Sequence, residues 1–289
     1  MAISDPTVPI TEREPELTGT VQQKLAPPSF RAKAFAVADR WFHRLVNLEK
    51  ALYKGFWLGC LGPDDRNAVT TACYRGSRNI LSAEYIQSGL FEWEASLVER
   101  YFLKGSRILV AAAGTGREIL ALRKAGFSAE GFECNLNLVV AGHKVFQQIG
   151  EKNGIAFCPP DDVPQGPRIY EGLIVGWGGY MHIPTRLRRI RFLQALRERA
   201  LPQCPLLISV FIRSRSSRYD TITWRTANMC RLVFRARSKP LEPGDDLDLG
   251  YFIHRFSRAD LETELNAAGF GMLHYGEDGD SALVVAVAE

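Results

Sequence analysis

The stretch from Ile108 to Gly126, ILVAAAGTGREILALRKAG, constrains the fold more than any other part of the chain. A short apolar run meets Gly-Thr-Gly and passes at once into a helical pattern. That order reads as a buried strand, a tight turn and a helix. The alternation then repeats. AEGFE is a strand, NLVVAGHKVFQQIG a helix, GIAFC a third strand and GLIVGWG a fourth. PTRLRRIRFLQALRERAL places Leu187, Ile190, Leu193 and Leu196 at near-helical spacing, and PLLISVF is a fifth strand. Strand–helix alternation of this kind predicts a parallel sheet wrapped by helices. The end differs. YFIHRFS reads as a strand, SRADLETELNAAGF as a helix capped by Ser257, and GMLHYGEDGDSALVVAVAE as strand, Gly/Asp turn, strand. A closing hairpin makes one strand antiparallel to the rest.

The first third has another texture. Residues 1–30 are rich in Pro, Thr and Glu without an apolar period and read as a mobile tail. From Arg31, the residues Ala34, Val37, Trp41, Leu45, Leu48 and Leu52 fall near one helical face, and Gly55 is expected to end that helix. SRNILSAEYIQSG and FEWEASLVERYFLKG give two more helices. The predicted organisation is a tail over 1–30, a helical cap over 31–105 and an α/β core over 106–289, with an insert at 213–250.

Composition narrows the function classes. With 46% hydrophobic and 24% charged residues, the 289-residue chain is an ordinary globular protein. A net charge of +4 permits an anionic partner without requiring one. The N-terminus lacks the pattern of a secretory signal, and no apolar run is long enough to span a bilayer. Six scattered cysteines show no metal or redox spacing, so no metal site is expected and a reducing cytoplasm suits the thiols.

In an open parallel sheet, ligands sit beyond the carboxyl ends of the strands. Gly114 and Gly116 let the backbone approach a ligand there, and the helix behind them presents free N–H groups. Glu133 closes the second strand at the distance where an acid accepts from both ribose hydroxyls. Asp161 and Asp162 follow the third strand, where a carboxylate can accept from an adenine amine. Two adenosine cofactors fit this pattern, a nicotinamide dinucleotide and S-adenosylmethionine. The dinucleotide fingerprint asks for a third Gly at position 119, which here is Ile119, and the closing hairpin does not suit the usual dinucleotide fold.

From Ser106 onward the sequence resembles the class I S-adenosylmethionine-dependent methyltransferases. The matching segments are ILVAAAGTGRE, GFE with Glu133, GLIVGWGGYMHI, FSRADLETELNAAGF and the final hairpin. The resemblance implies a Rossmann-like seven-stranded sheet, six strands parallel and one reversed, with an N-terminal helical cap. It implies S-adenosyl-L-methionine as cofactor, held by Ala112, Ala113, Gly114, Gly116, Arg117, Glu133, Cys134, Asp161, Asp162, Gly176 and Trp177. The family's first motif usually reads acid-x-Gly-x-Gly-x-Gly; here Val110 replaces the acid and Ala112 the first Gly. Glu94 and Glu118 are the candidates to supply the missing charge.

The resemblance places the acceptor just after the fourth strand, at Gly176 to Pro184. Trp177 and Tyr180 offer flat faces to a ring or to a sulfonium. His182 has the ordinary pKa of a base and, with Tyr180, is a candidate catalytic residue; a structural histidine is the competing reading. Tyr74, Tyr85 and Trp93 are candidate cap aromatics. Tyr85, Trp93, Tyr180, Trp224 and Arg225 are the expected substrate contacts. The insert carries Arg213, Arg215, Arg218, Arg225, Arg231, Arg235 and Arg237 beside an apolar set. It reads as a packing helix, a substrate lid or a contact for RNA or a membrane surface. No Asn/Asp-Pro-Pro-aromatic element and no Pro-Cys follow the fourth strand, which points away from DNA bases and cytosine-type RNA. The expected activity is methyl transfer to an O or N atom of a small molecule, with a homodimer allowed. An RNA or peptide acceptor and a non-catalytic scaffold are the alternatives.

Overall fold

The computed structural model describes residues 29–75, 79–213, 218–234, 241–248 and 250–289. Most of the expected tail, and Arg215, Arg235 and Arg237 of the insert, lie outside the described residues. In chain order the elements are α1 (Phe30–Cys60), α2 (Pro63–Arg75), α3 (Ala83–Gln87), α4 (Glu92–Tyr101), β1 (Arg107–Ala111), α5 (Arg117–Lys124), β2 (Ser128–Glu133), α6 (Leu136–Gln148), β3 (Ile155–Phe157) and β4 (Gly172–Val175). A 3₁₀ turn at Gly179–His182 follows, then α7 (Arg186–Arg199), β5 (Pro205–Phe211), α8 (Arg218–Val233), β6 (Asp245–Asp248), β7 (Tyr251–His254), α9 (Arg258–Ala267), β8 (Phe270–Asp278) and β9 (Ser281–Ala288). Two compact units divide the chain at Leu45/Val46.

The main sheet has seven strands in the order β3-β2-β1-β4-β5-β9-β8. Strands β1 to β5 pair in parallel, and β9 runs antiparallel to both β5 and β8. Alternating residues of β1 serve opposite faces, as a period of two requires. Ile108 and Val110 join the layer that holds Ile119, Leu120 and Phe146, whereas Leu109 and Ala111 join the layer of Phe192, Leu193 and Leu265. Burial on both faces explains why these strands are continuous apolar runs. Gly131 lets β2 close on β1, since a Cβ there would lie 2.3 Å from the Val110 carbonyl oxygen. Ser257 caps α9 by accepting from the Asp260 N–H at 3.2 Å.

Three expectations change. The first helix does not stop at Gly55 but runs to Cys60. Gly55 and Gly59 instead admit α8: a Cβ would lie 2.6 Å from the Thr223 oxygen at one and 2.3 Å from the Ala227 oxygen at the other. The apolar set of Val37, Trp41, Leu45, Leu48 and Leu52 is exposed, and the buried residues of α1 are Ala51, Gly55, Leu58 and Gly59. YFIH forms β7, but it pairs with β6 in a separate two-stranded ribbon rather than entering the sheet. The sequence reading also passes over α2, although Pro63 opens it and Asp64 and Asp65 occupy its first turn, a helix start favoured by a fixed φ and the helix dipole.

Candidate functional site

The turn after β1 carries three positive-φ residues: Ala112 at 49°, Gly114 at 55° and Gly116 at 87°. The two glycines do different jobs. A Cβ at Gly116 would strike Ile155 and Phe146 at 2.7 and 2.8 Å, so this glycine is required by packing. A Cβ at Gly114 would meet no protein atom within 4 Å, so its backbone faces open space. The Gly114 N–H donates to Glu133 Oε2 at 2.9 Å, and the Asn135 N–H donates to Oε1 at 2.8 Å. Glu133 thus braces the turn from the end of β2 while keeping acceptor capacity on Oε2. Cys134 Sγ lies 3.4 Å from Glu133 Oε1, and burial beside that carboxylate pushes the thiol pKa up. Ala113 belongs to the buried layer behind the turn, and Gly176 packs against Ala112, whose carbonyl oxygen would lie 2.3 Å from an added Cβ.

A cavity of about 80 Å³ lies beyond these strand ends, walled by Ala112, Phe132, Cys134, Asp161, Gly179 and His182 and also touched by Asp162. Helix α2 roofs it with Asn67, Thr70 and Thr71. Several bonds latch the roof: Asn67 Nδ2 donates to Asp161 at 3.0 Å, Asn135 Nδ2 to the Thr71 carbonyl at 3.1 Å, Arg188 to Asp64 at 2.7 Å and the Phe252 N–H to Thr70 Oγ1 at 3.1 Å. Tyr74 Oη lies 2.9 Å from His182 Nε2, and Arg66 pairs with Asp245 at 3.6 Å. Asp161 also accepts from Arg188 at 3.0 Å, so in this closed state its carboxylate serves the latch. Burial nonetheless raises its pKa.

His182 is held at both nitrogens, with Nδ1 2.8 Å from the Phe252 carbonyl oxygen and Nε2 at the Tyr74 hydroxyl. The carbonyl requires Nδ1 to carry the proton, which leaves Nε2 as the acceptor for the Tyr74 hydroxyl. Burial lowers the histidine's pKa and, with Tyr251 close by, raises that of Tyr74. Tyr180 does not join it. The ring is fully buried and stacked on Phe256, and its hydroxyl donates to Glu264 at 2.7 Å. A 3₁₀ turn sends residues two apart to different sides, and Tyr180 takes the core side. The expectation that Tyr180 touches the acceptor is corrected accordingly.

Arg117 is also drawn away from ligand contact. Its guanidinium is 1% exposed, bonds both oxygens of Glu94 at 2.8 Å and Glu118 at 2.8 Å, and lies 3.9 Å above the Phe91 ring. Both acids considered as substitutes for the motif carboxylate therefore meet at this arginine, while Val110 is wholly buried in the apolar layer. The Trp177 backbone lies beside Glu118 and favours its charged form, as does Arg117, but burial raises its pKa against both. Tyr85, Phe91, Trp93 and Trp177 gather around this cluster: Arg117 lies 5.7 Å over Tyr85, Trp93 stacks on Phe91, and Trp177 meets Phe91 edge-on at 6.2 Å. The sequence reading missed Phe91; its place at the start of a helix whose third residue is an acid was the available signal.

Trp224 and Arg225 stand apart from these residues on α8. Trp224 lines a larger cavity of about 780 Å³ with Leu58, Leu241, Arg213 and Arg255, and Arg225 is exposed. Phe211 connects that cavity to the site, since its ring lies 6.0 Å from Trp177 and 5.5 Å from the Arg255 guanidinium.

No protein-family model matches the sequence, and a search of curated proteins finds no match. Solved structures do match. The 1,6-didemethyltoxoflavin-N1-methyltransferase of Burkholderia thailandensis, solved with 1,6-didemethyltoxoflavin and S-adenosylhomocysteine, aligns at TM-score 0.56 and 16% identity, over 79% of this chain and 91% of its own. An S-adenosylmethionine-dependent methyltransferase from Methanosarcina mazei aligns at TM-score 0.52 and 16% identity, over 69% and 98%. Magnesium protoporphyrin IX methyltransferase from Synechocystis, with bound S-adenosylhomocysteine, aligns at TM-score 0.51 and 18% identity, over 78% and 97%. With the strand order and the reversed β9, these likenesses establish that the chain has the class I S-adenosylmethionine-dependent methyltransferase fold.

Proposed function

We propose that this protein is an S-adenosylmethionine-dependent methyltransferase that acts on an O or N atom of a small molecule. The observation that carries the reading is the turn after β1. Gly114 holds a positive φ over open space, and the carboxylate of Glu133 is fixed beside it by the Gly114 N–H. These residues fit an adenosine cofactor: the bare backbone admits it closely, and the spare acceptor capacity of Glu133 Oε2 suits a ribose hydroxyl. When bound, S-adenosylmethionine supplies a methyl group already activated on sulfur. The protein's part is then to position and to desolvate. Trp177 presents an aromatic face beside the turn, and His182 Nε2 accepts from the Tyr74 hydroxyl, so a proton can reach it through Tyr74. The cavity of about 80 Å³ is below the several hundred cubic ångströms typical of ligand pockets. Entry of the cofactor therefore requires α2 to draw back.

The second cavity supports a small-molecule acceptor. Its volume of about 780 Å³ suits a small molecule, with the Trp224 ring, Leu58 and Leu241 offering apolar contact beside charged side chains such as Lys50, Arg213 and Asp246. The methyltransferases from B. thailandensis and Synechocystis carry names of small-molecule substrates, which supports the same reading. Calorimetric titration with S-adenosylhomocysteine, with NAD as control, tests the proposal. One-site binding of the first alone, weakened at least about ten-fold in Glu133→Ala, is expected. Binding of NAD, or of neither ligand, would overturn it.

A further inference from the structure

Helices α1 and α8 leave a large apolar surface uncovered. Within the second unit, α1 exposes Leu48, Leu52, Tyr53, Phe56 and Trp57, and α8 exposes Met229, Leu232 and Val233, followed by Phe234. Each set runs at three- and four-residue spacing, which makes a stripe along its helix. Gly55 and Gly59 let the two helices close on Thr223 and Ala227, and Phe56 meets Phe234 edge-on at 5.8 Å, so the stripes join. Leu232 and Val233 are 71% and 70% exposed, although aliphatic side chains are normally buried. A contiguous apolar patch of this kind marks an interaction surface.

The charges beside the patch select its partner. From Val46 to Cys60 and along α8 there are five Lys or Arg against two acids, and because Lys54 pairs with Asp246 at 2.9 Å the net charge left beside the patch is about +2. Lys50, Arg218 and Arg225 are exposed. The first unit, taken by itself, has the same character: Phe30, Phe35, Trp41, Phe42 and Leu45 are exposed, and Phe30–Leu45 carries four Lys or Arg against one acid. Aromatic and aliphatic side chains among cations are the composition of a helix lying in a lipid interface, where the rings sit at headgroup depth and the cations face anionic lipids. A second copy of the chain suits the surface less well, because a two-fold contact sets the patch against itself and brings like charges together. RNA suits it less well too: phosphate contacts need no Leu, Val or Met, and bases stack on rings rather than on aliphatic chains. Among the described residues no helix is long and apolar enough to cross a membrane, so the contact lies along the surface.

We propose that the exposed α1–α8 face docks this protein on an anionic membrane surface. Flotation of the full chain with vesicles tests the idea, using phosphatidylcholine alone and phosphatidylcholine with about a third phosphatidylglycerol. The expected result is flotation with the anionic vesicles only, reversed by salt, with Trp57 and Trp224 emission moving to shorter wavelength. Lys50→Gln and Arg225→Gln should each weaken binding on the order of five-fold, and Leu232→Asp with Val233→Asp by at least about ten-fold. A thermal melt followed by circular dichroism checks that the variants remain folded, and the salt dependence of the unaltered protein needs no variant. Equal flotation with neutral vesicles would overturn the proposal. So would no flotation from a protein that sediments as a dimer through this face, or one that binds RNA equally well with the Leu232 and Val233 changes.

Discussion

Two buried arginines clamp the loop after β4 from opposite ends. Arg117 pairs with Glu94 and Glu118, and the Trp177 backbone lies beside Glu118 and favours its charged form. Arg189 pairs with Glu264 and Glu242, and Glu264 takes the hydroxyl of Tyr180. Each guanidinium is 1% exposed, and the neighbouring carboxylates raise the pKa of each against the cost of burial. Their surroundings differ. Phe256 and the α7 and α9 helices seal the Arg189 network on the core side of the sheet, whereas the Arg117 network lies under rings that face the site. A buried ion pair is thus not a functional signal in itself. The side of the loop it touches decides whether it sets stability alone or also the ligand geometry.

Substitutions can sharpen or break this contrast. Glu264→Gln leaves Arg189 with only the partly exposed Glu242, and should cost about 3 to 5 kcal/mol in urea unfolding while S-adenosylhomocysteine affinity in the folded protein stays within a few-fold. Glu94→Gln removes one bidentate pair but leaves Glu118, so about 2 kcal/mol is expected, together with a clear loss of affinity as Phe91 and Trp177 shift. Equal affinity losses in the two variants would erase the distinction. Tyr180→Phe should cost about 1 kcal/mol and leave affinity untouched, because its hydroxyl serves the sealed side. The smallest effect concerns His182. Burial lowers its pKa below the usual 6.5, so the unfolded chain binds the proton first as pH falls. The stability of the neutral form is full above about 6.5 and declines as pH drops toward the folded pKa. Melts of His182→Asn should lack that part of the decline, and an unchanged pH profile would place the titration elsewhere.

The sequence made the architecture legible and the contacts much less so. The continuous apolar run of β1 and the Gly-Thr-Gly turn are local, so the strand, the turn and the helix behind it could be read from the order of residues alone. The fate of Tyr180 could not, because it depends on Glu264, which lies 84 residues away on α9. Arg117 stands at the expected helix start, but its partner Glu94 comes from a different helix, 23 residues earlier. YFIH has the composition of a sheet strand, and only its pairing with Asp245–Asp248 keeps it out of the sheet. Side chains whose partners are distant in sequence carry no periodic signal, and most of the site residues are of that kind.

The latched α2 helix has a consequence for timing. Under the proposed activity, each catalytic cycle must release one nucleoside product and admit a fresh cofactor through the same roof. The bonds from Asp64, Arg66, Asn67, Thr70, Thr71 and Tyr74 must therefore break and re-form once per cycle. A gate of this kind makes association slower than diffusion allows and prolongs the residence of product. The ceiling on turnover is then the rate of unlatching rather than the rate at which the methyl group moves.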